Sequence, residues 1–451
     1  MISAAERLLS RCATGFAYLR SHRDVVVAWQ GLWVLVDQAI VSLANFLTVV
    51  IIGRFCMQRE LGLYDLLFTT VVLLQGIPKA LIWTPYTSGS PHRHGAQLAR
   101  YTGSVSLHLL AISVMGSAGL AIIGGLFALT KGGGDIGRLL MLLAPLLVLF
   151  MIREHVRRIA LAWLEIKEAV VMDAAVSLLQ VAGVLWLGRT GWLNAASAIV
   201  VIAMANATAA LWLFIWKRRE DVVVRISDAY VHGAENWSFS KWLLPGAVLT
   251  LLCDSMYRWF VPLSHGLGSL GIFVASMSLI RVLNPVILGL ANWGTPLFAS
   301  TYAREGIGGL SRLARKATGL LLGLILFCLP LFIIWGGLLV ELLFGDRYHG
   351  TGPVVTALAL GMLVHTLLLP VDSALLALRQ GKFLLGMVAL RLLLTCTVGL
   401  LLTIQFGPIG AGYGMFLSSA AVLVADWAYF TKLTRRDQRL VAVTEQIRCE
   451  P

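Results

Sequence analysis

Charge is scarce in this chain and absent from long tracts of it. No charged side chain occurs in Tyr101–Thr130, Thr190–Trp216, Ala317–Val340 or Leu392–Ala425. Charged residues make up 13% of the whole and hydrophobic ones 58%, against about 25% and roughly 45–50% in soluble globular proteins. That balance excludes a water-soluble fold of this length, because too much apolar surface would stay wet. The six cysteines (Cys12, Cys56, Cys253, Cys328, Cys396 and Cys449) are scattered, with no close pair and no His at metal-ligand spacing. This excludes a disulfide framework and a zinc site. Residues 1–28 carry Arg7, Arg11, Arg20 and Arg23 and no unbroken apolar segment, so no cleavable signal peptide is expected.

What is present is a series of apolar runs, each long enough to cross a bilayer, which takes about 20 helical residues. They lack the alternation of barrel strands, and only helices or closed barrels satisfy their backbone in lipid. The fold class is therefore an all-α polytopic membrane protein. Twelve spans are expected, near 30–53, 62–86, 102–129, 139–158, 169–188, 192–216, 242–262, 269–298, 317–340, 353–378, 383–404 and 409–431. The net charge of +13 could suggest nucleic acid, but its distribution argues otherwise. Of the 36 Lys and Arg residues, only Arg54, Arg59, Lys131, Arg138, Arg189 and Arg347 fall in one set of loops. Lys79, Arg258, Arg281 and Arg391 fall within spans, and all the others lie in the opposite loops or the termini. By the positive-inside rule both termini are cytoplasmic, and no nucleic-acid partner is needed to explain the charge.

The longest polar break, Lys217–Lys241, divides the chain into halves of six spans. The expected organisation is a basic amphipathic segment over 1–29, an N-terminal lobe over 30–216 and a cytoplasmic linker over 217–241. A C-terminal lobe over 242–431 and a cytoplasmic tail over 432–451 complete it. Leu61-Gly62-Leu63-Tyr64 opens span two, which carries Pro78 and Pro85; Leu270-Gly271-Ile272-Phe273 opens span eight, which carries Pro285 and Pro296. Proline removes a helical hydrogen bond, so the second helix of each half is expected to bend. Such paired, interrupted helices point to a transporter built from pseudo-symmetric repeats. Outer loops are short, and the first, Arg54–Leu61, offers one carboxylate, Glu60, with no acidic pair for acid–base chemistry. That disfavours a membrane glycosyltransferase or polymerase, and no enzymatic activity, cofactor or metal is expected.

These motifs resemble those of a known family. Beyond the two Leu-Gly openings, Arg281 and Pro285 follow in span eight. Leu342-Leu343-Phe344-Gly345 with Tyr348 precedes span ten, Gly381-Lys382 span eleven, and Phe406-Gly407-Pro408-Ile409-Gly410-Ala411 span twelve. The pattern resembles the Wzx-type flippases of the multidrug/oligosaccharidyl-lipid/polysaccharide exporter superfamily over about residues 25–431. The resemblance implies a MATE-like fold. It also implies passage of an undecaprenyl-diphosphate-linked oligosaccharide across the bacterial inner membrane, for exopolysaccharide, capsule or O-antigen. A polysaccharide polymerase and export proteins would be partners. A multidrug exporter of the same superfamily is the alternative; a lipid II flippase is a further one, though its relatives usually have fourteen spans.

A sugar diphosphate cannot cross hydrocarbon unaided, so a wet cavity with cations is required. Ionisable residues inside spans are the site candidates. Arg281 and Arg391 lie mid-span, and with Arg258 and Lys79 they are the candidate substrate-binding cations, guanidinium being suited to bidentate phosphate contact. Asp254 lies four residues before Arg258, and a local pair between them is the competing reading. Asp37, Asp254 and Asp372 are candidates for coupling to H⁺ or Na⁺, with structural pairing as the competing role. Asp173 and Asp426 read as interfacial, His365 as a packing residue, and Arg153–Arg158 as a topological anchor at the lipid headgroups. Trp83, Trp427 and Tyr429 read as interface belts. Gly132–Gly137 matches a dinucleotide-binding string but has no preceding strand, and it is set aside.

Overall fold

The computed structural model describes residues 22–130, 133–216 and 222–449. The expected amphipathic segment at 1–29 therefore lies outside the described residues up to residue 21; from His22 the chain is already helical. All regular structure is helix. The first half runs α1 (His22–Phe55), α2 (Gln58–Pro78, extended to Gly89), α3 (Ala96–Ala128), α4 (Gly134–Ala162), α5 (Ile166–Thr190) and α6 (Ala195–Trp216). The second half begins with a helix from Ile226 to Ile280 that breaks at Gly266, φ +79°, giving α7 (226–265) and the start of α8. Breaks at Gly306, φ +65°, and Gly407, φ +60°, likewise separate α8 (267–305) from α9 (307–344), and α11 (381–406) from α12. Between them lies α10 (Gly352–Ala377). A positive φ suits glycine, which has no Cβ to clash, so three one-residue turns reverse the chain. Resolved at these turns, the described residues form twelve helices, the last being α12 (408–449), as the apolar runs require.

The alternate turns gather at one end, called the outer end from the charge distribution. There Cys56 donates to the Leu193 carbonyl, Ala195 N–H to Glu60, and Arg59 pairs with Asp135 at 2.8 Å. Of the segment read as a cytoplasmic linker over 217–241, the described part is non-helical only at 222–225, and residues 226–241 are the first turns of α7. The segment docks on α3 and the turn before it: Val223 N–H donates to the Ala99 carbonyl, Tyr101 to Asn236 at 2.8 Å, and Arg93 reaches Glu235 at 2.5 Å.

Span two and span eight are both interrupted, as their prolines require. After Pro78 a π-turn, Lys79–Trp83, widens α2, and a 3₁₀ turn, Arg281–Leu283, breaks α8 just before Pro285. The two Leu-Gly motifs meet at the outer end. A Cβ on Gly62 would collide with the carbonyl of Leu267, four residues before Gly271; a Cβ on Gly271 would collide with the carbonyl of Gln58, four residues before Gly62. The contact is reciprocal, as a two-fold related pair of repeats demands. Around it Arg54 donates to the Leu342 carbonyl at 2.8 Å, Gln58 to Arg347 O at 2.6 Å, and Arg347 to Cys56 O at 2.8 Å. These contacts join the halves and seal the outer end.

Because backbone fills the space a side chain would need, Gly62→Val or Gly271→Val is expected to cost the sealed arrangement about 1–3 kcal/mol by overpacking. A cysteine placed at Ser278, in a background lacking the native cysteines, should then react with a membrane-impermeant thiol reagent added outside. In the parent it should be protected.

Candidate functional site

Inward of the seal two cavities share a wall. The larger, about 480 Å³, lies among α1, α2, α7 and α8, with Ser42, Asn45, Tyr64 and Asp65 on its walls. The smaller, about 230 Å³, lies among α7, α8, α10, α11 and α12, with Asp254, His365, Arg391 and Ser418. Arg258 and Arg281 line both.

Three of the four candidate cations thus converge, and their pairing differs from a reading by sequence proximity. Arg258, 8% exposed, does not pair with Asp254 on its own helix. Its Nε lies 3.3 Å from Asp65 Oδ2 of α2, and its Nη1 donates to Thr69 Oγ1 at 2.9 Å. Asp254 instead faces the smaller cavity, its side chain 56% exposed, and takes a hydrogen bond from Arg391 Nη2 at 3.2 Å. Arg391 Nη1 also lies 3.0 Å from His365 Nδ1, so this histidine belongs to the site and is not merely packing. Arg281 has no hydrogen bond or ion pair among the described residues. It sits mid-span at the 3₁₀ turn, yet its side chain is exposed, because what it faces is the cavities. Three guanidiniums thus meet two carboxylates, and the surplus charge is Arg281. Lys79, exposed on the π-turn of α2, lines neither cavity and stays apart from the other three.

The acidic candidates separate in the same way. Asp37 is 1% exposed and held by Arg157 at 2.5 Å; the same guanidinium reaches Asp173 at 2.6 Å, and Arg153 reaches Asp173 at 2.6 Å. With Arg158 on Glu154 at 2.7 Å, three cations balance three anions. The Arg153–Arg158 cluster is therefore no headgroup anchor but an internal network, and Asp173, 0% exposed, is not interfacial. Its helical spacing turns Arg153 and Arg157 to one face of α4, toward α1 and α5. Asp372 meets Asp426 of α12, and Asp426 is likewise 0% exposed and not interfacial. Both oxygens of Asp426 lack a hydrogen-bond donor among the described residues, and the nearby ionisable group is the Asp372 carboxyl. Trp83, read as a belt residue, is 3% exposed and donates to His155 Nδ1 at 3.3 Å.

Asp65 is the site residue that sequence reading passed over. The available signal was an acidic side chain inside an apolar span, just after Leu61-Gly62-Leu63-Tyr64.

No family model and no curated sequence matches the chain. Solved structures do. An inward-facing conformation of a multidrug resistance MATE family transporter of the MOP superfamily superposes with TM-score 0.73 at 13% identity, covering 88% of this chain and 96% of that one. The lipid II flippase MurJ in an inward closed conformation gives 0.65 at 12%, covering 91% and 93%. A MOP superfamily transporter from Pyrococcus furiosus, described as having a binding pocket of reverse polarity that suggests a different function, gives 0.64 at 13%, covering 92% and 97%. The chain has the fold these transporters share, that of a polytopic all-α membrane protein.

The two kinds of arginine are expected to differ in stability. Arg157→Ala would leave Asp37 buried without its counter-charge and Asp173 with Arg153 alone, a loss of about 3–5 kcal/mol. Arg281→Met breaks no pair and should leave the melting temperature unchanged or raise it. Thermal unfolding in one detergent checks both.

Proposed function

We propose that the chain is a flippase for lipid-linked oligosaccharides, carrying an undecaprenyl-diphosphate-linked unit from the inner to the outer leaflet of the bacterial inner membrane. Exopolysaccharide, capsule or O-antigen assembly would use it, beside a polysaccharide polymerase and export proteins. Both termini would be cytoplasmic, and the protein would act as a conduit and not an enzyme. The observation that carries this reading is Arg281, a cation within a membrane span that has no ion pair among the described residues and faces both cavities. An uncompensated charge in such a place is costly unless an anion arrives to match it. A diphosphate supplies that charge and oxygens for Arg281, Arg258 and Arg391. A sugar head has hydroxyl partners in Asn45, Ser42 and Ser418.

The multidrug exporter reading draws on the MATE neighbour. It fits less well, because a cationic drug would meet surplus positive charge. A lipid II flippase is favoured by the likeness to MurJ and by the same diphosphate chemistry, and only the sugar distinguishes it. Coupling to H⁺ would draw on the neighbouring carboxyls Asp372 and Asp426; coupling through Asp37 would require breaking its pair with Arg157.

Loss of a charge-assisted contact worth about 1.5–3 kcal/mol corresponds to a fall of roughly 10–100-fold in transport. Polysaccharide export in Arg281→Ala cells should drop by that order at normal protein level. Unchanged export, or proteoliposomes that take up cationic dyes in preference to lipid-linked sugars, would reverse the reading. Presenting lipid II and an O-antigen precursor to the same proteoliposomes separates the two flippase readings.

A further inference from the structure

We propose that the Asp65–Arg258 contact is an anion-exchange latch: the passenger's phosphate takes Arg258 from Asp65 and so releases a bridge between the two halves. This rests on the anionic-passenger reading above and adds to it a residue that ties occupancy to opening.

The bridge has the right position. Asp65 belongs to α2 in the first half and Arg258 to α7 in the second. Asp65 lies three residues, about 4.5 Å along the helix, inward of Gly62, where the halves cross backbone to backbone. It also lines the larger cavity. The pair therefore stands where the seal ends and the void begins, within reach of anything that enters.

Its geometry is that of a contact made to be exchanged. Arg258 Nε stands 3.3 Å from Asp65 Oδ2, and that oxygen, though buried, accepts no hydrogen bond. The firm bond of Arg258 goes to Thr69 at 2.9 Å, and its Nη2 has no partner among the described residues. The buried pairs of Arg157, at 2.5 and 2.6 Å on Asp37 and Asp173, use the same chemistry but are shorter and hydrogen-bonded. The neighbour of Arg258 across the shared wall is Arg281, so the two like charges invite one bridging anion. A carboxylate offers a single charge at one edge, whereas a diphosphate carries more charge and spans both guanidiniums.

Displacement then acts on the seal. Asp65 would be left without its counter-charge at the interface, and the attraction across the halves at the inner rim would vanish. The outer contacts would weaken only in the loaded state, which keeps an empty carrier from opening.

The test uses the full chain in nanodiscs, with spin labels at Trp192→Cys and Asp346→Cys on opposite halves of the outer end, and inorganic pyrophosphate as probe. In the otherwise unchanged protein, pyrophosphate should raise the population at longer distance. In Asp65→Asn that population should be high without probe and respond no further, and pyrophosphate should bind roughly tenfold tighter, since a competing like charge is gone. Asp65→Glu should restore the response, which sets aside a folding defect. An Asp65→Asn protein that stays closed without probe and opens like the parent overturns the latch while leaving the passenger reading intact. If pyrophosphate fails to bind the parent while Asp65→Asn still opens, the passenger reading falls and anion exchange with it, leaving only a lock between halves.

Discussion

An ion inside a bilayer-spanning protein must find its counter-charge within the structure, since water is not at hand to solvate it. The arginines of this chain sort by how that demand is met. Arg153 and Arg157 are closed by Asp37 and Asp173 at 2.5–2.6 Å and bind α1, α4 and α5 into one block. Arg258 and Arg391 are each met by one carboxylate at 3.2–3.3 Å and keep an edge on a cavity. Arg281 is met by none. The gradient from closed to open charge runs from the body of the first half to the interface between halves, and it separates groups that hold the fold from groups free to take a ligand. A purely structural role would not leave an exposed, unpaired arginine lining cavities within a membrane span.

That arrangement depends on how the halves touch. Two glycines at equivalent points of the repeat let α2 and α8 cross with backbone against backbone. Inward of the crossing both helices are interrupted, α2 by a π-turn and α8 by a 3₁₀ turn. A helix that is regular up to a tight crossing and broken beyond it can splay past that point without losing the crossing. The cavities occupy the space so produced, and Arg281 stands at the break itself.

Much of this was legible in the chain, for reasons that can be named. Spans show because hydrocarbon thickness imposes a length on each apolar run. The repeat showed through Leu61-Gly62 and Leu270-Gly271, whose reciprocal contact explains why glycine stands at both. The site cations Arg258, Arg281 and Arg391 stood out because charge within a span needs a reason. Partners did not show. Asp254 and Arg258 are one turn apart on the same helix, yet each bonds elsewhere, to Arg391 and to Asp65. Asp173 and Asp426 sit near span ends, where hydration is the simple expectation, yet both are buried against groups from other helices. Sequence spacing reports which residues share a face; it does not report which helix that face will meet. Lys79 marks the opposite error, a cation within a span that the π-turn of α2 carries to the surface.

The two carboxylates of the site deserve to be weighed as carefully as its arginines. Were the cavity meant only to attract anions, Asp65 and Asp254 would be a defect, since each subtracts charge where charge is wanted. Their presence makes sense if the empty state has to be stable too. Three guanidiniums with no carboxylate would repel one another across a shared wall, and the resting protein would hold a large uncompensated field in low dielectric. With two carboxylates present, the empty site keeps a single surplus charge. On the proposed anionic-passenger reading, a passenger would find one free arginine and two to be won by exchange, and carboxylates returning to Arg258 and Arg391 would help to drive its release.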